Sequence, residues 1–374
     1  MSTEATPIAS GDRITNLDTV RGVATLGILV MNAVTFGLPR PAYFNLDHGG
    51  SDSWADRAVG IAGEIFVDQK TMGLFSLLFG VGIVVFADRA EAKGRRPVAL
   101  SLWRNTLLFG IGILHASLWF GDVLTLYAIC SPVLLVLRKR SVPTLFGVAG
   151  LCLAGSAVAM AITQWSIDPA TDLGDYWLDP DTVMSDAVGL AFLFDFGGRA
   201  LGMMLIGVAL HRLDIVQGQR PAAYYRRLAR IGFAVGLPLS VAGVTIHSLN
   251  DWSGDVALVG AVPNILATAP LAIAYLAVIS LWNQRPDTWL HQRVRAVGRM
   301  ALTNYLTQTV IGLLVLDGLF AFGSLGRLQI LGFVVAVWML QLAWSQPWLA
   351  RFRFGPAEWL WRIATYRRRQ PLRR

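Results

Sequence analysis

Charge is scarce in this chain: Asp, Glu, Lys and Arg make up only 15% of its 374 residues, where a soluble domain carries roughly 25%. With 54% of residues hydrophobic, that scarcity excludes an ordinary cytosolic enzyme. It also excludes disorder, which requires far less apolar surface. Cysteine is scarcer still. Cys130 and Cys152 are the only two, and both lie inside apolar runs, so neither a disulfide framework nor a metal knuckle is available. No Walker loop, no GxGxxG ahead of a helix, no HExxH, no GxSxG and no CxxC occurs, which leaves ATP hydrolysis, dinucleotide redox chemistry and zinc proteolysis without support. The GVGIVVF stretch around Gly80 and Gly82 lacks the third glycine and sits in an apolar run, where close helix packing accounts for it. No Pro/Ser-rich linker and no internal repeat of fixed period is visible. The chain therefore reads as one domain over 1–374, with a polar tail at 1–16 and an interfacial, basic segment at 346–374. The tail carries Glu4 and Asp12, and no cleavable leader is expected.

What the chain does have is long apolar runs, and its mean hydropathy is +0.52. A hydrocarbon core about 30 Å thick takes about 20 apolar residues as a helix. Ten segments qualify as candidates, near 19–38, 71–88, 102–120, 123–138, 142–164, 197–213, 230–249, 256–282, 299–318 and 327–345. The expected fold is all-α: a polytopic membrane protein of about ten transmembrane helices with interfacial helices on its outer face. Two stretches suggest the latter, 58–70 with Glu64, Asp68 and Lys70, and 187–196 just ahead of the sixth span. Beyond the last span, Trp344, Trp348, Trp359 and Trp361 alternate with Arg351, Arg353 and Arg362, the pattern of an amphipathic interfacial segment.

The net charge of +8 is distributed by loop. Lys and Arg crowd the connections after the second, fourth, sixth and eighth spans and the C-terminal tail, whereas the connection after the fifth span holds Asp168, Asp172, Asp175, Asp179, Asp181 and Asp186. By the positive-inside rule both termini face the cytoplasm. The basic loops then read as topology signals and as contacts to anionic membrane lipids, with no nucleic acid as partner.

Ionisable groups at membrane depth are expensive, which makes them the candidate functional residues. Asp18 and Arg21 stand three apart at the start of the first span, on one helix face. They form either a paired charge at a helix start or an anion contact at the inner mouth of a cavity. Asn32 lies further along the same helix, as an interhelical hydrogen bond or an oxyanion donor. His115 and Asp122 are seven residues apart, two helical turns. A carboxylate holding one imidazole nitrogen leaves the other as a base near neutral pH; alternatively the histidine bonds a neighbouring helix. His48 sits in a Gly-flanked outer loop. Lys70, the i, i+4 pair Asp195 and Arg199, and Asn304, Tyr305 and Gln308 complete the set, as substrate or pathway residues or as polar contacts between helices. His211, His247 and His291 read as structural, and no metal site is expected.

These stretches resemble the YeiB-like family of bacterial membrane proteins, a domain of unknown function. RITNLDTVRGVATLGILVMN, FVDQKTMGLFSLLFGVG, GILHASLWFGDVLTLYA, LGMMLIGVALHRL, GRMALTNYLTQT and WSQPWLARFRFGPAEWLWRIATY carry the resemblance over about 13–366. Many members have a glycine before the lysine of the second block, where this chain has Gln69. The family is grouped with transmembrane acyltransferases such as heparan-glucosaminide N-acetyltransferase. The resemblance therefore implies a bacterial inner-membrane, multi-pass acyltransferase using cytosolic acyl-CoA, with acetyl-CoA foremost, and a small-molecule or glycan acceptor. It leaves a homodimer open. In those relatives an LDxxRG block, an Asn in the same helix and an outer-loop histidine follow in order, matched here by Asp18, Arg21, Gly22, Asn32 and His48. On this expectation Arg21 with Arg89, Arg95, Arg96, Arg104 and Arg138 holds the donor phosphates. His115, oriented by Asp122, is the base, and Asn32 or Asn304 stabilises the oxyanion. The alternative function is a transporter or permease for a small anionic or amphipathic solute, with Asp195, Arg199, His115 and Asp122 along its path.

Overall fold

A computed structural model describes residues 14–374. The tail residues Glu4 and Asp12 lie outside the described residues. The chain forms α1 (Thr15–Gly37), α2 (Trp54–Phe66), α3 (Lys70–Ala92), α4 (Pro97–Ala116), α5 (Leu124–Leu137), α6 (Val142–Ser166), the short α7 (Pro169–Asp172) and α8 (Gly174–Trp177), and then α9 (Asp186–Arg212). It continues as α10 (Ala222–Leu249), α11 (Val262–Asn283), α12 (Trp289–Arg299), α13 (Ala301–Gly312), α14 (Arg327–Arg351) and α15 (Pro356–Tyr366). Among the described residues no sheet forms; one bridge joins Phe352 and Arg373. The reason is the solvent: without water to satisfy backbone groups, each segment must close its hydrogen bonds within itself.

Eight helical segments among the described residues are long and apolar enough to cross a membrane: α1, the α2–α3 segment, α4, α6, α9, α10, α11 and α14. The chain is a multi-pass membrane protein. Each of the ten expected segments coincides with a helix, but two fall short of that measure. Helix α5 has only 14 residues and carries Pro132. Helix α13 has 12 residues and lengthens only through the π-helical turn Leu313–Leu319.

Residues 187–196 are not a separate interfacial helix. They are the first turns of the 27-residue α9, which runs on unbroken through Gly197 and Gly198. Gly198 is there for proximity: a Cβ on it would stand 2.3 Å from Ser156 Oγ and 3.0 Å from the Cys152 carbonyl of α6. Residues 58–70 are not one interfacial helix: 58–66 belong to α2 and Lys70 opens α3, with the break at a turn where Gln69 takes φ +59°. That left-handed conformation favours glycine. Gln69 is held in it by donating from Nε2 to Asp68 Oδ1 at 3.0 Å.

Helix ends sort into two faces. One joins the start of α1, the α3–α4, α5–α6, α9–α10 and α11–α12 connections, and α15. Asn16 there donates to the Val216 carbonyl and Ser280 Oγ, and Arg138 pairs with Asp88 and Glu91 at 2.9 and 2.7 Å. This is the basic end. The opposite end joins 38–53, α7, α8 and the α10–α11 turn. There Trp177 Nε1 donates to the Trp252 carbonyl at 2.8 Å, and Arg40 pairs with Asp175 at 2.5 Å.

Candidate functional site

The α4–α5 corner builds the first element of the site. Helix α4 stops at Ala116, and a tight turn through Gly121 brings Asp122 back beneath the last turn. Its Oδ2 accepts from Thr125 N–H at 2.8 Å, satisfying an otherwise unpaired donor at the start of α5. Its Oδ1 lies 2.8 Å from His115 Nδ1, and the two side chains are 2% and 3% exposed, so water does not compete for the bond. A carboxylate only accepts, which puts the imidazole proton on Nδ1 and leaves Nε2 as an acceptor. That nitrogen is 2.8 Å from Thr309 Oγ1 of α13. Hydroxyl, imidazole and carboxylate thus stand in line, with the Tyr305 ring packed on the imidazole at 5.0 Å between centroids.

Two cavities approach this corner from the two ends of the molecule. From the end away from the basic loops comes a chamber of about 140 Å³ lined by Asn32, Arg40, Tyr43, Gln69, Asp122 and Tyr305 among the aromatic rings of Phe44, Trp119, Phe120, Phe192 and Phe196. Asp122, rather than His115, faces this chamber; the imidazole stands behind the carboxylate. From the basic end comes a cavity of about 230 Å³ with Arg21, Arg104, Arg299, Glu358 and Trp361 among its lining, walls of Phe75, Leu78, Phe79 and Ile83, and Tyr305 again. A vestibule of about 220 Å³ shares Arg21 and Arg299 with it and adds Asp18, Arg89 and Arg353. Tyr305 is the partition between the two sides.

Helix α15 shapes the inner mouth. Trp361 Nε1 donates to the Arg104 carbonyl at 3.0 Å. The Arg104 guanidinium lies over the Trp361 and Phe86 rings at 4.2 and 4.5 Å, a geometry that favours a cation. Glu358 caps the start of α13, accepting from the Leu302 and Thr303 amides at 2.7 and 3.0 Å and from Thr303 Oγ1 at 2.5 Å. Burial raises its carboxyl above the usual carboxylate range, against the opposing pull of those bonds.

A second polar group lies beside the chamber. Tyr43 Oη, Gln69 Nε2 and Asn264 Nδ2 donate to Asp68 at 2.8, 3.0 and 3.1 Å. Lys70 Nζ donates to the Glu64 carbonyl at 2.5 Å and to Asn264 Oδ1, and Arg199 pairs with Asp195 inside α9. These residues come from α2, α3, α9 and α11 and the loops beside them.

The remaining expected site residues separate by position. Asp18 pairs with Arg21 at 3.3 Å, and Arg21, Arg89 and Arg104 line the inner spaces. Arg95 and Arg96 stand in the α3–α4 connection and line neither cavity. Arg138 is committed to Asp88 and Glu91, so its fork is spent on tying α3 to α5. Asn304 bonds the Val297 carbonyl, Ser345 and Trp344, and Gln308 bonds the Thr25 carbonyl and Gln341; both fasten α13 to its neighbours. Neither lines the chamber, whereas Asn32 does. His48 is half-buried in the loop before α2 and lines neither cavity; burial lowers its pKa, with Asp47 and Asp179 pulling the other way. His291 caps α12 through Thr288. Among the described residues no group of three or more His, Cys, Asp and Glu side chains is arranged to hold a metal ion. Thr309, Asn264 and Glu358 went unread in the sequence, and Trp361 and Arg299 stand there only as an interfacial aromatic and a basic-loop residue. Thr309 sits one helical turn from Tyr305, but no local signal joins it to a histidine 194 residues earlier.

Comparison with known proteins adds the following. Residues 210–368 match a family described as "Protein of unknown function (DUF418)". The chain is similar to "Uncharacterized protein YeiB" of Escherichia coli (strain K12), with 34% identity over 388 residues, 96% of this chain and 98% of that protein. It is 30% identical to "Uncharacterized protein YxaH" of Bacillus subtilis (strain 168) over 98% of this chain and 97% of that protein. A third relative, "Uncharacterized 39.9 kDa protein in amylase 3'region" of Bacillus acidopullulyticus, is 29% identical over 98% and 97% respectively.

Proposed function

The chain belongs to the YeiB-like (DUF418) family, and from that premise we propose that it is an acyltransferase of the bacterial cytoplasmic membrane, moving an acyl group from cytosolic acyl-CoA to a hydroxyl or amine acceptor. The single observation that carries the proposal is the meeting of two unlike cavities at Tyr305. One has a cationic mouth and apolar walls; the other is an aromatic chamber faced by a histidine-backed carboxylate. In this reading the protein crosses the membrane ten times, with α5 and α13 as short crossings, and the basic end and both termini face the cytoplasm.

The donor's phosphates bind Arg21, Arg89 and Arg353 in the vestibule, where forked guanidinium groups suit phosphate oxygens. Its uncharged arm extends along Phe75, Phe79 and Ile83 until the thioester carbonyl reaches Tyr305. The acceptor enters the opposite chamber, its apolar faces on Trp119 and Phe120 and its nucleophile at Asp122. The acceptor's proton passes to the Asp122–His115 pair as its oxygen or nitrogen bonds the carbonyl carbon. Asn32 donates to the oxyanion. The C–S bond then breaks, and the departing thiolate takes the proton and leaves as CoA thiol. Aligning His115 behind the carboxylate keeps the pair polarised without exposing the imidazole to water.

The test is binding of acetyl-CoA and longer acyl-CoAs to the protein in nanodiscs. Native protein is expected to bind in the micromolar range. Arg21→Ala is expected to weaken binding about tenfold, the worth of one charge-assisted hydrogen bond, and added salt to weaken the native complex as well. Absence of binding at millimolar acyl-CoA would overturn the proposal. It would favour instead a transport path for a small anionic or amphipathic solute, a reading drawn from the same observation, two cavities closed off from each other by one side chain.

A further inference from the structure

Beside the chamber, and sharing Phe44, Gln69 and Phe196 with it, lies a small cavity of about 40 Å³. Its charged lining is Glu64, Asp68 and Asp195 against Arg199 alone. Lys70 sits behind this lining, engaged by Asn264 and the Glu64 carbonyl, and Arg327 packs outside it, donating to the Ala42 carbonyl.

Three buried polar atoms of its lining residues have no hydrogen-bond partner among the described residues: Asp195 Oδ1, Gln69 Oε1 and His247 Nδ1, the last an acceptor when the ring proton is on Nε2. Their residues are 1%, 4% and 8% exposed. An unmade hydrogen bond at such depth is costly, whereas a made one is nearly free, so three acceptors on one cavity point to an occupant that donates. The other walls are aromatic, with Phe44, Tyr176, Trp177 and Phe196. His247 stacks on Trp252 at 5.1 Å and packs tilted against Trp177 at 4.9 Å, the two indoles being 6.2 Å apart.

We infer that this cavity is a binding site for a compact ammonium group, supplied as free ammonium or as the end of a primary amine. The carboxyls of this wall are matched in number by Arg199, Lys70 and Arg327, so the preference for a cation comes from the aromatic faces, and the unpartnered acceptors match the N–H donors of an ammonium. A metal ion fits worse, because among the described residues no three ligating side chains converge. The space suits about two water-sized groups. One is the ammonium nitrogen. The other is a water whose oxygen accepts from Arg199 Nε, the one donor on this wall without a partner among the described residues. The inference is independent of acyl transfer, since it invokes neither the donor cavity nor Asp122.

Thermal unfolding of the protein in nanodiscs, at constant ionic strength, tests it. Ammonium and methylammonium chloride are expected to raise the midpoint saturably by about 2 °C. Sodium, potassium and tetramethylammonium chloride, which lack N–H donors, are expected to leave it unchanged. Asp195→Asn should weaken the ammonium response at least tenfold. Because that variant also strips Arg199 of its partner, His247→Phe, which keeps the ring stack but removes the acceptor, provides a second reading and should weaken it as well. An equal response to sodium, or none to any salt, would overturn the inference and leave a pocket holding water only. So would an undiminished ammonium response in the His247→Phe protein.

Discussion

Asp122→Asn is expected to lower release of CoA thiol from bound acyl-CoA by about 10²–10⁴-fold, the usual worth of a positioned base, while acyl-CoA affinity stays within about twofold. The amide is nearly isosteric, and its oxygen still accepts from Thr125 N–H at the start of α5, so the corner keeps its shape. What changes is the proton inventory. Facing His115 with an amide N–H forces Nδ1 to accept, moves the imidazole proton to Nε2, and reverses the bond to Thr309. In the serine-protease triad the same replacement of carboxylate by amide traps the wrong imidazole tautomer and costs about 10⁴-fold in rate. His115→Gln should fall comparably, because a charge left alone on Asp122 in a buried corner is no longer shared. Thiol release by the Asp122→Asn protein at the native rate would remove the chamber from the chemistry, even if acyl-CoA still bound at the basic end.

A large effect on folding is expected at the crossing of α3 and α9. A Cβ on Gly207 would stand 2.1 Å from the Leu77 carbonyl oxygen, and one on Gly80 would stand 2.4 Å from that of Met204. The obstacle in each case is backbone of the facing helix, which cannot rotate aside. Without a hydrophobic force between helices in lipid, such close approach supplies much of the packing that holds them together. Gly207→Ala and Gly80→Ala must each push the helices apart and are expected to cost about 3 kcal/mol or more. Gly147→Ala is the matched control, since nothing lies within 4 Å of its Cβ position in α6. There the better helix propensity should leave stability equal or raise it by up to about 1 kcal/mol. Thermal unfolding in detergent separates the cases. Midpoints for the first two variants level with the control would mean that α3 and α9 do not touch at these glycines.

The GVGIVVF stretch shows how far a local pattern reaches. Its placement in a packed helix follows from hydropathy and the absence of a third glycine. That Gly80 meets a partner backbone while Gly82 lines the inner cavity depends on which way the helix is turned. The pairing of His115 and Asp122 is likewise local, but it comes about differently from the two helical turns their spacing suggests: α4 ends at Ala116 and the tight turn through Gly121 folds Asp122 back onto the histidine. Arg138 and Arg104 look alike in sequence, each a cation at a span boundary. One is consumed by Asp88 and Glu91 and the other is held over Trp361 and Phe86. Helices that approach from as far as 257 residues away make that difference.

By itself the sequence determined the membrane helices, the basic and acidic ends and the His115–Asp122 pair. Transfer free energy is summed over some twenty consecutive residues, and helical periodicity acts over a few turns, so both are properties of the local chain. Only the tertiary structure decided that Asp122 faces the chamber, that Thr309 completes the line behind it and that Tyr305 parts two cavities. It also decided which helices enclose the pocket at Asp195 and Gln69. Each of these depends on the rotation and depth of helices far apart in sequence, which side-chain packing at glycine crossings sets and no local pattern records.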